Sequence, residues 1–362
     1  AIYLSVDCAF RCIIYLMREA ILYKKLKDKK VQCTACNHSC IIDENKVGIC
    51  GVRKNIGGTL QLLVYDKAIA VNIDPIEKKP FFHVLPGETA YSFGTLGCNF
   101  RCANCHNYDI SQMFDMKGNI DLYEDFLWGD NYPPEKIVEN AVGSGCTSIA
   151  YTYNEPTIFA EYALETMKMA KKKNLKNLWV SNGFMSNETI DLLLPYLDAI
   201  NVDIKSFDDE FYQRNCGGHL KPVLENCKRF VKERIWLEIT TLVIPTLSDD
   251  IAMLTKLAEF IKKDLGDFVP WHISAFSGPI SWKLKNLPST GEEVIEEVYK
   301  IGKNSGLKFV YGGNIRDEGL ESTYCPKCGA LLIQRHGYSV EIKNLKNGIC
   351  TKCGERIPGI WK

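Results

Sequence analysis

Three cysteines fall within eight residues in the run Gly97-Cys98-Asn99-Phe100-Arg101-Cys102-Ala103-Asn104-Cys105. This C-x3-C-x2-C loop directly follows an apolar, strand-like stretch at 91–96. Three thiolates on one loop can hold three irons of a cubane 4Fe–4S cluster, whereas a plain electron carrier normally supplies a fourth ligand. A loop with three ligands leaves one iron open, and an open iron can bind a substrate. A zinc site or packed core cysteines would also account for three thiols. The motifs further along the chain weigh against both.

Eight more of the 16 cysteines form two further groups. Cys325-x2-Cys328 and Cys350-x2-Cys353 are two knuckles separated by 21 residues, each followed by a glycine, Gly329 or Gly354. Four thiolates fill the tetrahedral shell of a structural zinc. A rubredoxin-type iron would use the same set, and zinc is the expected occupant. The second group is Cys33, Cys36, Cys40 and Cys50, with His38 inside it as a competing ligand. Zinc is expected there too, with an auxiliary 4Fe–4S cluster as the alternative. Cys8, Cys12, Cys146, Cys216 and Cys227 read as packed thiols.

The elements that must position these groups alternate from residue 91 to about 317. Short apolar strands are expected at 91–96, 148–153, 178–181, 199–204, 236–243 and 271–275. A final strand at 308–311 precedes Gly312-Gly313-Asn314. Helical patterns lie between them at 133–143, 156–173, 187–194, 220–233, 249–263 and 291–304. Six strands alternating with six helices predict a parallel α/β architecture that right-handed crossovers curl into a partial six-stranded (β/α)6 barrel. Its ligand site should lie at the carboxyl ends of the strands, where the cysteine loop falls. Three regions follow: a cysteine-rich metal-binding segment at 1–90, the barrel at 91–318 and a zinc-ribbon-like module at 319–362. The stretch 115–131 reads as a polar loop insertion, and 1–17 as a buried helix or strand.

The cysteine spacing and its place after a strand resemble the radical SAM enzymes. The order of features narrows the resemblance further. It runs from the N-terminal cysteines and Gly48-Ile49-Cys50-Gly51-Val52-Arg53 through Asp74-Pro75-Ile76-Glu77-Lys78-Lys79-Pro80 and His83 to Gly94-Thr95-Leu96-Gly97-Cys98 and Thr152-Tyr153-Asn154-Glu155-Pro156. Over residues 20–318 the chain is similar to the radical SAM proteins of the AmmeMemoRadiSam system, relatives of pyruvate formate-lyase activating enzyme. The resemblance implies that S-adenosylmethionine (SAM) chelates the open iron and is reductively cleaved to a 5′-deoxyadenosyl radical that abstracts hydrogen from an unidentified substrate. It also implies an electron donor such as ferredoxin or flavodoxin, and a Memo-type partner protein. Activation of a glycyl radical enzyme is the alternative within this chemistry. An Fe–S/zinc electron-transfer or scaffold protein without SAM cleavage is the alternative outside it.

The same resemblance assigns strand-end residues to SAM. Asn154 and Glu155 match a glycine-glycine-glutamate-proline motif in which Tyr153 and Asn154 replace the glycines, and Glu155 is placed to grip the methionine end. Ser181 and Asn182 end the third strand, where a simple turn explains Asn-Gly equally well. Asp203 and Lys205 alternate to one side of the fourth strand, in a D-x-K pattern shared with glycyl-radical activases. Glu238 or Thr240 is expected to turn inward, and His272 is a further candidate contact. An aromatic residue usually precedes the third cysteine, and here that residue is Asn104.

Composition agrees with an enzyme in a reducing cytoplasm. Lys plus Arg and Asp plus Glu are equal at 44 each, so no net charge recommends a nucleic-acid or anionic-membrane partner. No apolar run is long enough to span a membrane. Cys-x2-Cys pairs in a chain of this size read as metal ligation instead of disulfides.

Overall fold

The computed structural model describes residues 18–116 and 129–362. The stretch 1–17, with Cys8 and Cys12, and most of the expected insertion at 115–131 lie outside the described residues.

One eight-stranded sheet organises the fold. Its strands are β1 (Ala70–Pro75), β2 (Thr89–Gly94), β3 (Ser148–Tyr151), β4 (Lys176–Ser181), β5 (Ala199–Asp203), β6 (Trp236–Val243), β7 (Trp271–Ala275) and β8 (Val310–Gly313). They lie side by side in chain order, with β1 antiparallel to β2 and every later pair parallel. All six expected strands are present, yet the sheet is larger than a six-stranded barrel. β8 adds a seventh parallel strand. β1 adds an antiparallel edge that the sequence conceals, because Asn72 and Ile73 face solvent and no apolar run marks it.

Each parallel crossover carries a helix: α1 (Pro134–Gly143), α2 (Ala160–Lys172), α3 (Asn187–Leu193), α4 (Leu220–Lys232), α5 (Ile251–Phe260) and α6 (Glu292–Asn304). Their buried faces follow helical spacing. In α4, Leu220, Val223, Cys227 and Phe230 point inward. Side-chain caps fix the starts: Ser186 accepts from Thr189 N at 3.1 Å and Asp250 accepts from Met253 N at 2.7 Å. In α6, a Cβ on Gly302 would meet Val310 at 2.9 Å and Trp271 at 3.1 Å. Only glycine lets this helix approach the sheet so closely.

The N-terminal segment forms two small antiparallel sheets. It is fastened to α2 by a buried ion pair between Arg53 and Glu161. Glu161 Oε1 also accepts from the backbone N–H groups of Ile21 and Leu22, at 3.2 Å each.

The C-terminal segment shares a core with the barrel. Phe82, Phe309 and Tyr311 pack with Leu332, Ile333, Ile357 and the buried cysteines Cys325 and Cys350. Arg335 is fully buried, donating to Phe82 O and Thr323 Oγ1 at 2.8 Å each, with its guanidinium over the Phe82 ring. His83 joins the two parts. Its Nδ1–H donates to Pro358 O at 2.7 Å, and its Nε2 accepts from Tyr311 Oη at 2.7 Å. That pairing suits the neutral ring, and burial lowers the His83 pKa to about 4. A histidine titrates near 6.5 when unfolded. The unfolded chain therefore takes up the proton first, and the stability due to neutral His83 is complete above pH 6.5 and is lost as pH falls toward 4. The loss over that window should be roughly 3 kcal/mol. Denaturant unfolding at pH 7 and pH 4 should show a steeper decline for the native chain than for His83→Gln. Equal declines would refute this role.

Candidate functional site

A cavity of about 780 Å³ opens at the carboxyl ends of the parallel strands. That is the size of a pocket for a cofactor or small ligand, ~300–1,000 Å³. Cys98, Cys102 and Cys105 line it, on the loop after β2. So do all seven strand-end residues singled out from the sequence: Asn154, Glu155, Ser181, Asn182, Asp203, Lys205 and His272. Residues from both ends of the sheet, Cys98 after β2 and Gly312 in β8, share this one wall, so the sheet curls around the cavity.

The cysteine loop is held by main-chain hydrogen bonds. Arg101 N donates to Cys216 O at 2.7 Å and Ala103 N to Asn215 O at 2.9 Å. From the far side of the sheet, Trp282 N donates to Cys105 O and Lys283 N to Ala103 O. Burial raises the free thiol pKa of Cys98 well above its usual value and that of Cys105 to about 11. For Cys102 a hydrogen bond with Cys216 and then burial do the same. Three thiols on one loop, Cys102 buried and Cys98 and Cys105 half-buried, become thiolates when cations bind them, so the donor set fits an iron–sulfur cluster. Cys216 read as a structural thiol in sequence; here it touches a candidate cluster ligand.

Glu155 is a hub. Its Oε1 accepts from Thr157 N (3.1 Å), Thr157 Oγ1 (2.5 Å) and Ser181 Oγ (2.8 Å), and its Oε2 accepts from Asn182 N (2.7 Å). Burial raises its pKa, and these hydrogen bonds oppose the rise. The carboxylate is thus engaged mainly by the chain itself, which places Glu155 as an organiser of β3 and β4 ends. Asn182 passes the linkage on, since its Nδ2 donates to Asn99 Oδ1 in the cysteine loop at 2.7 Å. Asn154 does likewise, donating to Gly97 O at 2.8 Å.

Tyr153 occupies a left-handed conformation, φ +72°, at a position where glycine would be relaxed. Its ring supplies what holds it there. The hydroxyl donates to Asp74 Oδ2 at 2.5 Å, and Lys79 Nζ lies 4.5 Å from the ring centroid. Burial alone would raise the Asp74 pKa, but Lys78, Lys79 and Tyr153 hold its carboxyl well below the usual range. Sequence reading missed the Asp74–Lys79–Tyr153 group because Tyr153 lies more than seventy residues from the segment that carries Asp74 and Lys79.

Lys205 Nζ pairs with Asp203 Oδ2 at 3.1 Å. Burial would lower the Lys205 pKa, but Asp203 and the Cys102 and Cys216 sulfurs raise it well above the usual value. It is a fixed cation beside the cysteine loop. His272 Nε2 donates to the buried carboxylate of Glu238 at 2.6 Å, and its ring stacks on Tyr311. Glu238 also accepts from Phe82 N, His83 N and Trp236 Nε1. Thr240 and Leu242, not Glu238, are the β6 residues in the cavity wall.

The sequence profile described as the radical SAM superfamily matches residues 93–258, which contain the cysteine loop and the ends of β3 to β6. An uncharacterized protein of Methanocaldococcus jannaschii is 40% identical over 94% of this chain and 99% of its own. The chain belongs to the radical SAM superfamily. Pyruvate formate-lyase 1-activating enzyme of Escherichia coli is 27% identical, over 59% of this chain and 89% of its own. A radical SAM methyltransferase structure from Sphaerobacter thermophilus covers 63% of this chain and 66% of its own at 16% identity, with a TM-score of 0.48. This radical SAM protein has no helix, among the described residues, long and apolar enough to cross a membrane.

The radical SAM barrel also carries a separate candidate metal centre. The sulfurs of Cys325, Cys328, Cys350 and Cys353 all lie within 4.8 Å of one another. The Cys325–Cys353 and Cys328–Cys350 pairs are 3.6 and 3.8 Å apart. A tetrahedral ion with bonds of ~2.3 Å to sulfur spaces its ligands about 3.8 Å apart. The geometry is that of a single-ion site. His38 lines the hollow of the N-terminal cysteines and has its Nε2 on Asn99 O at 2.8 Å.

The Glu155 hub generates a test. Glu155→Gln turns one acceptor oxygen into a donor facing N–H and O–H groups. Unfolding free energy should fall by about 1–3 kcal/mol. Unchanged denaturant midpoints would show that the hub is not needed to hold the strand ends.

Proposed function

We propose that Cys98, Cys102 and Cys105 hold a 4Fe–4S cluster and that SAM occupies the adjoining cavity, facing a substrate from which hydrogen is taken. The supporting observation is that the three cysteines and all seven strand-end candidates line one cavity. When bound, such a cluster binds SAM through its open iron and supplies the electron that cleaves it to a 5′-deoxyadenosyl radical. The chain's own residues then have distinct tasks. Lys205, held by Asp203, presents positive charge toward the thiolates and toward a carboxylate beside them. Asn182 and Asn154 fix the strand ends against the cysteine loop, and Glu155 holds Ser181 and Asn182. Phe82, Phe100, Phe211, Leu242 and Phe276 give the cavity apolar walls that keep water and stray hydrogen donors from a reactive radical. His272, fixed by Glu238, lines the cavity and suits contact with SAM or substrate.

Within the superfamily we place the chain in the AmmeMemoRadiSam branch, on the motifs that surround the N-terminal cysteines, His83 and Asn154-Glu155-Pro156. A cytoplasmic location, a ferredoxin or flavodoxin donor and a Memo-type partner accompany that placement. A second reading, glycyl-radical-enzyme activase, is favoured by relatives named as activating enzymes of pyruvate formate-lyase and of (2S)-3-sulfopropanediol dehydratase. The Asp203-Ile204-Lys205 pattern supports it too. For the C-terminal knuckles we propose zinc, because four cysteine thiolates in a closed tetrahedron form its usual structural site.

Anaerobic reconstitution with SAM and a reductant should yield 5′-deoxyadenosine, and the Cys98→Ala/Cys102→Ala/Cys105→Ala variant should yield none. Full SAM cleavage by that variant would overturn the assignment. Metal analysis of the purified native chain should find zinc that disappears in Cys328→Ser/Cys350→Ser. A rubredoxin-like visible spectrum, or no metal tied to these residues, would overturn zinc.

A further inference from the structure

The N-terminal cysteines are built differently from the C-terminal knuckles. Cys33, Cys36, Cys40 and Cys50 all line one small, enclosed, apolar hollow, and His38, Arg53, Asn99 and Ile158 are also in its wall. Backbone N–H groups are aimed at the sulfurs: Ala35 N at Cys33, His38 N at Cys36, and Val52 N at Cys50. Such bonds stabilise thiolates and are a feature of metal–thiolate sites. The loop is rigidly held. Asn37 Nδ2 donates to Met185 O at 2.7 Å, Ser186 N to Ala35 O at 3.1 Å, and Thr189 Oγ1 to Ala35 O at 2.7 Å.

The spacing of the sulfurs separates two kinds of occupant. Among the described residues, the C-terminal group is the only one of three or more ligand atoms mutually within 4.8 Å, the packing a single ion requires. The N-terminal cysteines surround a common hollow without closing to that distance. A polynuclear cluster holds its cysteines at outer corners, further apart than the ligands of one ion. A second observation concerns Asn99. It lines the hollow and is 1% exposed, and its Nδ2 donor has no hydrogen-bond partner. Cluster sulfides would offer acceptors to such a donor, and hydrogen bonds to sulfur are a recognised means of tuning a cluster.

We propose that Cys33, Cys36, Cys40 and Cys50 hold an iron–sulfur cluster distinct from the one on Cys98, Cys102 and Cys105. With every corner bound by a protein thiolate, no iron is open to SAM or substrate, so its chemistry is to accept and release single electrons from a low-potential donor protein. It lies against the cysteine loop of the active site. A Cβ on Gly97, the residue before Cys98, would sit 2.4 Å from Cys50 O, and His38 Nε2 bonds Asn99 O at 2.8 Å.

The site can be tested apart from SAM chemistry. The Cys98→Ala/Cys102→Ala/Cys105→Ala variant, reconstituted anaerobically with iron and sulfide, should still bind both in equal amounts. About four of each marks a cubane and about two a two-iron cluster. After reduction it should show an electron paramagnetic resonance signal that SAM leaves unchanged. The native chain should show that signal plus a second one that SAM alters. Cys36→Ala/Cys40→Ala should lose the SAM-insensitive signal. Zinc without acid-labile sulfide in the triple-alanine variant overturns the proposal, as does a native chain with a single cluster and two zinc ions. If the triple-alanine variant keeps its cluster while the native chain cleaves no SAM, the functional reading fails and this site stands.

Discussion

The structure depends on one buried carboxylate. Glu155 gathers four donors, from Thr157, Ser181 and Asn182, at the ends of two neighbouring strands. A parallel sheet fixes its strands through the ladder, but it leaves their carboxyl ends as separate loops. Glu155 converts the ends of β3 and β4 into one rigid platform. Asn182 and Asn154 then fasten the cysteine loop to that platform. A cluster ligated by three thiolates on a loop needs such support, because its ligand geometry is only as good as the loop's position. The cost of burying the carboxylate is offset by those four hydrogen bonds.

A second buried carboxylate, Glu238, plays a comparable part on the other side of the cavity. It receives His272 from β7 and the backbone of Phe82 and His83 from the segment between β1 and β2. His83 continues to Tyr311 in β8 and to Pro358 in the tail. One connected polar chain therefore runs from the cavity wall to the last residues of the protein. The C-terminal segment is joined to the barrel through this chain and through the buried Arg335.

Much of this arrangement was legible in the sequence. The cysteine spacings, the alternation of strands and helices, and the polar residues at strand ends are local patterns, and the cavity brings those residues together. What could not be read is non-local or compensatory. β1 has no apolar run and gains its place only by pairing with β2. The bonds Glu155 makes to Ser181 and Asn182 join residues more than two dozen positions apart. Tyr153 looks like an obstacle to a glycine-type turn until Asp74 and Lys79 are seen to hold it. Cys216 gives no signal in sequence beyond being a buried thiol, since its contact with Cys102 depends on the wide helical turn that ends at it.

The hairpin between residues 331 and 342 turns at Gly337 and Tyr338, and both line the rim of the cavity. Arg335 anchors it just before the turn, and its strands pack in the core that holds Cys325, Cys350 and Cys353. The cavity is therefore bordered in part by a hairpin that supplies none of the cysteine ligands. Such a gatekeeper can change by substitution at its tip without disturbing any cluster ligand. One barrel is in this way refitted to different substrates by exchanging a doorway.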